Sequence, residues 1–232
     1  GKIEIPDEKE MKEKTRTLDE NQRKVVDIVV KYCRSVVKAR QPGNSLPEPD
    51  HMMVHGAAGT GKSTVILLCA QWAQKTLVTA GSDLDKPLLL KTAFMGTAAA
   101  NIGGQTLSST FSMKFGNEYH GLGDRSRDLK RRAMENLQIL IMDEISMVKA
   151  DMVYQLDLIL KEITQKHKKA YGGVMVMAFG DIFQLPPVLG RAPFREPQDS
   201  QYAMTHAIEP RWELLKVINL NENHRQGEDR EF

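Results

Sequence analysis

Five short apolar runs constrain this chain more than any other feature: HMMVH at 51–55, LLLKTAF at 88–94, QILIMD at 138–143, VMVMAF at 174–179 and KVINL at 216–220. None shows the strict apolar–polar alternation of a strand with one wet face. Runs of this length suit strands covered on both faces, as in a parallel sheet. Helical patterns near 62–75, 126–136 and 150–167 lie between them and supply the crossovers that parallel neighbours require. The expected fold is therefore α/β, a doubly wound, mostly parallel sheet. A further helix is predicted over about 18–38. There Val25, Ile28, Val29, Tyr32, Val36 and Val37 recur at helical spacing, and Thr17 and Glu20 have the spacing of a capping box. The stretch QPGNSLPEPD at 41–50 reads as a surface loop. Residues 1–17 are charged with little apolar periodicity and read as a loose lead-in to one domain over 18–232.

A chain of 232 residues suffices for one large α/β domain. No span approaches the roughly 18 uninterrupted apolar residues of a membrane helix, and the charged beginning lacks the apolar core of a secretion signal. Cys33 and Cys69 fall in helical stretches without a Cys or His at metal-ligand spacing, and both read as reduced packing residues. An intracellular protein is expected from these features. The net charge of +2 does not by itself point to a polyanionic partner.

The chemistry concentrates where predicted strands end. GAAGTGKST at 56–64 fits G-x-x-x-x-G-K-[ST], directly after a strand and before a helix. Gly56, Ala57, Ala58, Gly59, Thr60, Gly61, Lys62, Ser63 and Thr64 would wrap the phosphates of ATP, because glycines admit close backbone approach and helix N-terminal amides point inward. Lys62 would reach the β and γ phosphates, and Ser63 would ligate Mg²⁺. The third run ends in Asp143 and Glu144. Asp143 suits the Mg²⁺ shell, and Glu144 suits orienting and deprotonating the attacking water. The fourth ends in GDIFQLPPV at 180–188, where the amide of Gln184 suits contact with a γ-phosphate or the lytic water and Pro186 and Pro187 stiffen the exit. Basic clusters at 125–132 and 166–169 read as solvated helix surface rather than as a nucleic-acid site.

Together these motifs resemble the Pif (petite integration frequency) DNA helicases of superfamily one, the branch related to RecD. The resemblance rests on LDENQ at 18–22, GAAGTGKST at 56–64, TAFMGTAAANIGGQTL at 92–107, LIMDEISMV at 140–148, GDIFQLPPV at 180–188 and LNENHRQGEDREF at 220–232. Helitrons, eukaryotic rolling-circle transposons, encode similar helicases and are one expected source. The resemblance implies a RecA-like P-loop NTPase domain that uses ATP and Mg²⁺ to move 5′ to 3′ on single-stranded DNA and to open DNA forks. It implies that Gln22 recognises adenine, that Gln184 couples the γ-phosphate to the DNA side, and that Arg225 is a cationic contact to the γ-phosphate. It also implies that Thr97, Thr106 and Ser108 lie along the DNA groove. Two positions depart from the family pattern: Ser108 stands where a His is common, and His224 where an aromatic Phe is usual. A helicase of this type hydrolyses ATP between two such lobes. The 232 residues are therefore expected to be the first lobe, unable to unwind alone. Nucleus or, alternatively, mitochondrion is the expected compartment in a eukaryote. A nucleotide-timed switch module and an inactive remnant are the rival readings; the water-activating Glu144 argues against the first and the intact motif residues against the second.

Overall fold

The computed structural model describes residues 7–79, 83, 85–113, 120–184, 191–195 and 211–220. In chain order the elements are α1 (Glu8–Arg16), α2 (Glu20–Ala39), β1 (Met52–Gly56), α3 (Lys62–Leu77), β2 (Leu89–Ala93), α4 (Gly96–Asn101), β3 (Gln105–Thr106), α5 (Leu107–Phe111), α6 (Asp124–Ala133), β4 (Ile139–Asp143), α7 (Ala150–Thr164), β5 (Met175–Gly180) and β6 (Lys216–Leu220). Single 3₁₀ turns lie at Ile145–Met147, Ala170–Gly173 and Arg211–Leu214. The strands form one sheet in the order β3-β2-β4-β5-β1-β6, and every pairing is parallel. All five apolar runs are strands of this sheet.

Strand pleating explains why those runs carry so little polar alternation. Met52 and Val54 of β1, Ile139 and Ile141 of β4, and Met175, Met177 and Phe179 of β5 face a core shared with α2 and α3. Met53, Leu140, Met142, Val176 and Ala178 face the opposite core, built with α7. Successive side chains point to opposite faces, so a sheet covered on both sides needs an apolar residue at nearly every position. In α2, Val25, Val29, Cys33 and Val36 form the buried stripe. Cys33 and Cys69 are both free and buried in this core. Desolvation pushes the Cys33 thiol up to about 12 and raises that of Cys69 as well, which keeps both protonated and inert.

Two boundaries differ from expectation. Residues 8–16, read as a loose lead-in, form helix α1, with Asp7 as its N-cap. Met11 is buried, and Trp72 Nε1 of α3 donates to Thr15 Oγ1 at 3.0 Å. The capping box of α2 is set by Asp19 and Gln22 rather than by Thr17 and Glu20. Gln22 N donates to Asp19 Oδ1 at 2.8 Å, and Asp19 N donates to Gln22 Oε1 at 3.1 Å. Asp19, two residues on, accepts from Gln22 N instead, while the Thr17 hydroxyl donates back to Lys14 O.

The basic helix α6 has no buried side chain. It is held by its cations: Lys130 Nζ donates to Thr110 O at 2.7 Å and Arg131 Nε to Glu162 O at 3.0 Å. Both accept at helix C-terminal turns, where carbonyls lack intrahelical donors. Among the described residues, no helix is long and apolar enough to cross a membrane.

Among the described residues the second core holds an ionic pin. Asp157 of α7 is fully buried; its Oδ1 accepts from Tyr171 N at 2.6 Å, and its Oδ2 lies 2.8 Å from Lys161 Nζ. The carboxylate thereby fixes the turn in which Tyr171 adopts φ 47°. Asp157→Ala strands a buried amide and an unpaired ammonium, and is expected to cost about 3 kcal/mol of unfolding free energy in urea titration.

Candidate nucleotide site at the carboxyl edge of the sheet

Because β4, β5 and β1 are adjacent and parallel, their carboxyl ends emerge side by side. Ligands of open α/β sheets gather at this edge. β1 runs into the loop Ala57–Gly61 and then α3. Gly59 and Gly61 have φ of 88° and 78°, the left-handed region that lets the loop curl tightly ahead of the helix. A side chain at Gly56 is excluded by packing, since an added Cβ would sit 2.4 Å from Thr60 Oγ1. Thr60 is buried and its hydroxyl donates to Ala57 O at 2.9 Å, bracing the loop from within.

Lys62 reaches back across this loop. Its Nζ donates to Gly56 O at 2.6 Å and to Ala57 O at 2.9 Å, which leaves one N–H of the ammonium uncommitted. Ser63 and Thr64 are exposed at the start of α3. The N–H groups of this first turn have no intrahelical acceptor and favour an anion.

Asp143 ends β4 and is 8% exposed. Desolvation raises its carboxyl above the usual range, and the negative charge of Glu144 adds to that. The Glu144 N–H, donating to Asp143 Oδ1 at 2.9 Å, and the positive charge of Lys62 oppose it. The loop after β1 and the acidic pair after β4 leave this edge with only β5 between them. Glu144 is half-buried and holds a left-handed backbone, φ 53° and ψ 46°. An extended residue there would continue β4; the left-handed turn breaks the strand and starts the 3₁₀ turn Ile145–Met147. Strain of this kind, in a non-glycine residue, gathers at functional sites.

β5 ends between these two motifs. Adding a methyl at Gly180 would place it 3.1 Å from both Ile145 N and Ile145 Cγ2, so the absent side chain lets the turn after Glu144 lie against β5. Gln184 is exposed, with its backbone N donating to Asp181 O at 3.1 Å. Pro186, Pro187, His224 and Arg225 lie outside the described residues.

Gln22 joins this cluster from α2. Besides capping that helix, its Nε2 donates to Thr60 O at 3.0 Å, and the residue is almost fully buried. The amide thus already spans from α2 to the phosphate loop. The three residues assigned to a DNA groove lie apart, along α4 and the β3–α5 junction at the far side of β2. Thr97 is exposed, whereas the Thr106 hydroxyl caps α5 by accepting from Ser109 N, and Ser108 is half-buried.

Comparison with known proteins gives this arrangement its context. A family model described as PIF1-like helicase matches residues 17–231. The chain belongs to the PIF1-like helicase family. It is 33% identical over 168 residues to the ATP-dependent DNA helicase PIF1 of Saccharomyces cerevisiae (strain YJM789), covering 70% of this chain and 18% of that protein. With the ATP-dependent DNA helicase PIF7 of Trypanosoma brucei brucei it shares 29% identity over 223 residues, 93% of this chain and 19% of the relative. The crystal structure of Pif1 helicase from Candida albicans superposes with a TM-score of 0.62 at 26% identity, covering 92% of this chain and 42% of that one. A Bacteroides Pif1 bound to single-stranded DNA has the same fold, with a TM-score of 0.59 at 24% identity over 91% of this chain and 43% of its own. The chain thus spans about a fifth of the length of these curated relatives. The match to solved family members agrees with the RecA-like sheet expected from the motifs.

Three positions in this site were not singled out by sequence reasoning: His55, Gly180 and Asp181. The last two sit inside GDIFQLPPV and had the motif as their signal. His55 had only its place as a polar residue closing an apolar run.

The raised carboxyl of Asp143 has a consequence for stability. A carboxyl that holds its proton more tightly folded than unfolded destabilises the fold increasingly as pH rises from its unfolded pKa to its folded one, fully above the latter, and not at all below the former. Asp143→Asn, which keeps an acceptor for Glu144 N, should therefore raise the thermal midpoint of the nucleotide-free protein at neutral pH. Calorimetry across a pH series should show the gain shrinking as the pH falls through that raised value.

Proposed function

We propose that this chain is the ATP-binding and hydrolysing motor domain of a DNA helicase that translocates 5′ to 3′ on single-stranded DNA and unwinds duplex at forks. The observation that carries this reading is the convergence of Lys62, Asp143, Glu144 and the turn bearing Gln184 on one edge of three adjacent strands. Binding alone would need the phosphate loop but no second carboxylate. Glu144, beside the buried Asp143 and aimed by a strained backbone, suits a general base for water.

In this reading the amides of Gly59–Thr64 and the Lys62 ammonium hold the triphosphate, and Gln22 meets the adenine through its amide. The donor set at Ser63 and Asp143 fits Mg²⁺: a hydroxyl and a carboxylate, both hard oxygen ligands, with the carboxylate buried and its burial only partly offset. Among the described residues no group of three His, Cys, Asp or Glu could hold a metal. Mg²⁺ is usually held by one or two carboxylates together with substrate phosphates and water. When bound, the ion neutralises charge on the β and γ phosphates. Glu144 orients and deprotonates the attacking water, Gln184 senses the γ-phosphate, and Arg225 stabilises charge on it as the bond breaks. Thr97, Thr106 and Ser108 contribute to the DNA track, Thr106 through its backbone while its hydroxyl caps α5. A second RecA-like lobe of the same parent protein closes the site and completes the track. A DNA-bearing compartment follows, the nucleus first in a eukaryote and the mitochondrion as alternative.

Strand displacement by the full-length protein on duplexes with 5′ or 3′ tails tests the reading; unwinding of the 5′-tailed duplex alone is expected. Glu144→Gln should lower ATP turnover by about a hundredfold or more while retaining ATP binding. Normal nucleotide binding without unwinding of either substrate would move the chain to a nucleotide-timed switch.

A further inference from the structure

His55 is the penultimate residue of β1, and its side chain is the one contact from another strand to the turn that carries Gln184 for which the described residues give a hydrogen bond. The turn after β5 exposes three successive amides. Phe183 N donates to Asp181 Oδ1 at 3.0 Å and Gln184 N to Asp181 O at 3.1 Å, both within the turn. The remaining one, Ile182 N, donates to His55 Nδ1 at 3.3 Å. The imidazole also meets the Phe183 ring edge-on, with centroids 5.1 Å apart and planes at 85°.

For this contact Nδ1 is the acceptor and carries no proton, which leaves Nε2 as the ring's donor. Asp181 Oδ1 lies 3.8 Å from Nδ1, beyond hydrogen-bond distance. His55 pairs in register with Gly180 and is followed by Gly56, whose carbonyl accepts from Lys62 Nζ. Groups in direct contact therefore run from the Lys62 ammonium through Gly56 and His55 to Ile182 and on to Gln184. A contiguous path of this kind is necessary for coupling but has to be tested as coupling.

We propose that His55 is a positioning residue for Gln184, its Nδ1 tying the 181–184 turn to the strand that ends in the phosphate loop. A movement of that loop on nucleotide binding is thereby passed to the Gln184 turn. Phe183, 84% exposed beside Gln184, rides on the same imidazole and follows its position. The inference rests on the motor-domain reading above.

The test uses the full-length protein with His55→Leu, which keeps bulk but removes the acceptor, and His55→Asn, whose Oδ1 restores an acceptor near the place of Nδ1. Amide hydrogen exchange and DNA-stimulated ATP hydrolysis are measured on each. In His55→Leu, exchange at 182–184 should accelerate while β4 is unchanged, and kcat should fall about tenfold with KM for ATP within about twofold. His55→Asn should return both toward wild type. Unchanged exchange at 182–184 in His55→Leu would overturn the proposal, as would a rise in KM with kcat intact. An Asn variant that behaves like Leu would overturn it too, because the ring and not the acceptor would then hold the turn. If the wild-type protein hydrolyses no ATP, the motor reading fails, while exchange at 182–184 still decides whether His55 tethers the turn.

Discussion

Parallel pairing of β1 with β5, and of β5 with β4, is the constraint on which the site depends. In a parallel ladder all carboxyl ends share one edge, and neighbouring strands lie roughly 5 Å apart. Three loops that are distant in sequence must then leave the sheet within reach of one another. The registers Val54 with Phe179, His55 with Gly180, and Met142 with Ala178 bring Gly56 level with Asp181 and Asp143 level with Phe179, two residues before them, so that all three lie at one end of the sheet. That pairing is in turn possible only because both faces are covered, by α2 and α3 on one side and α7 on the other. Apolar burial thus determines where the polar groups can meet. The chemistry at the edge inherits its precision from methionines, valines and isoleucines that never touch it.

Local interactions at the edge work against the fold as often as for it. Asp143 is desolvated beside another carboxylate, and its single backbone donor together with Lys62 only partly offsets that. Glu144 occupies a backbone conformation costly for a residue with a side chain. Both features are tolerated because Gly180 lets the turn after Glu144 press against β5, so rigid neighbours over-determine the strained segment. A site optimised for stability would have placed an amide at 143 and a glycine at 144.

Much of this was legible in the sequence, for reasons that particular residues make plain. Continuous apolar runs announce a doubly covered sheet because each of their positions has a core to fill. The phosphate loop announces itself because only glycine tolerates the φ of 88° at Gly59 and the close approach of Thr60 to Gly56. Helix α1 was hidden because its stabilisation leaves almost no apolar trace. One buried Met11 and pairs of opposite charge, Lys12 with Glu8 at 2.7 Å and Lys14 with Glu10 at 2.6 Å, stand in for a stripe. The start of α2 was misplaced because Thr17 and Asp19 both qualify as caps, and the choice falls to whichever partner lies three residues on. His55 was invisible for a different reason. Nothing within HMMVH says that its imidazole faces an amide of a turn 127 residues away in sequence.

Gln22 and His55 show how the phosphate loop is held without being locked. Gln22 grips it from α2 through Thr60 O, using an amide whose other end caps its own helix. His55 precedes it on β1 and reaches the opposite way, to the Gln184 turn. Each contact is a single neutral hydrogen bond, of the kind worth about 1 kcal/mol net. Bonds of that size can be exchanged for ligand contacts at little cost, whereas a buried ion pair such as Asp157 with Lys161 could not. The distribution of polar interactions thus follows their tasks: the charged pin sits under α7, where nothing is required to move, and weak exchangeable amide and imidazole contacts surround the loop, where binding a polyanion has to redistribute them.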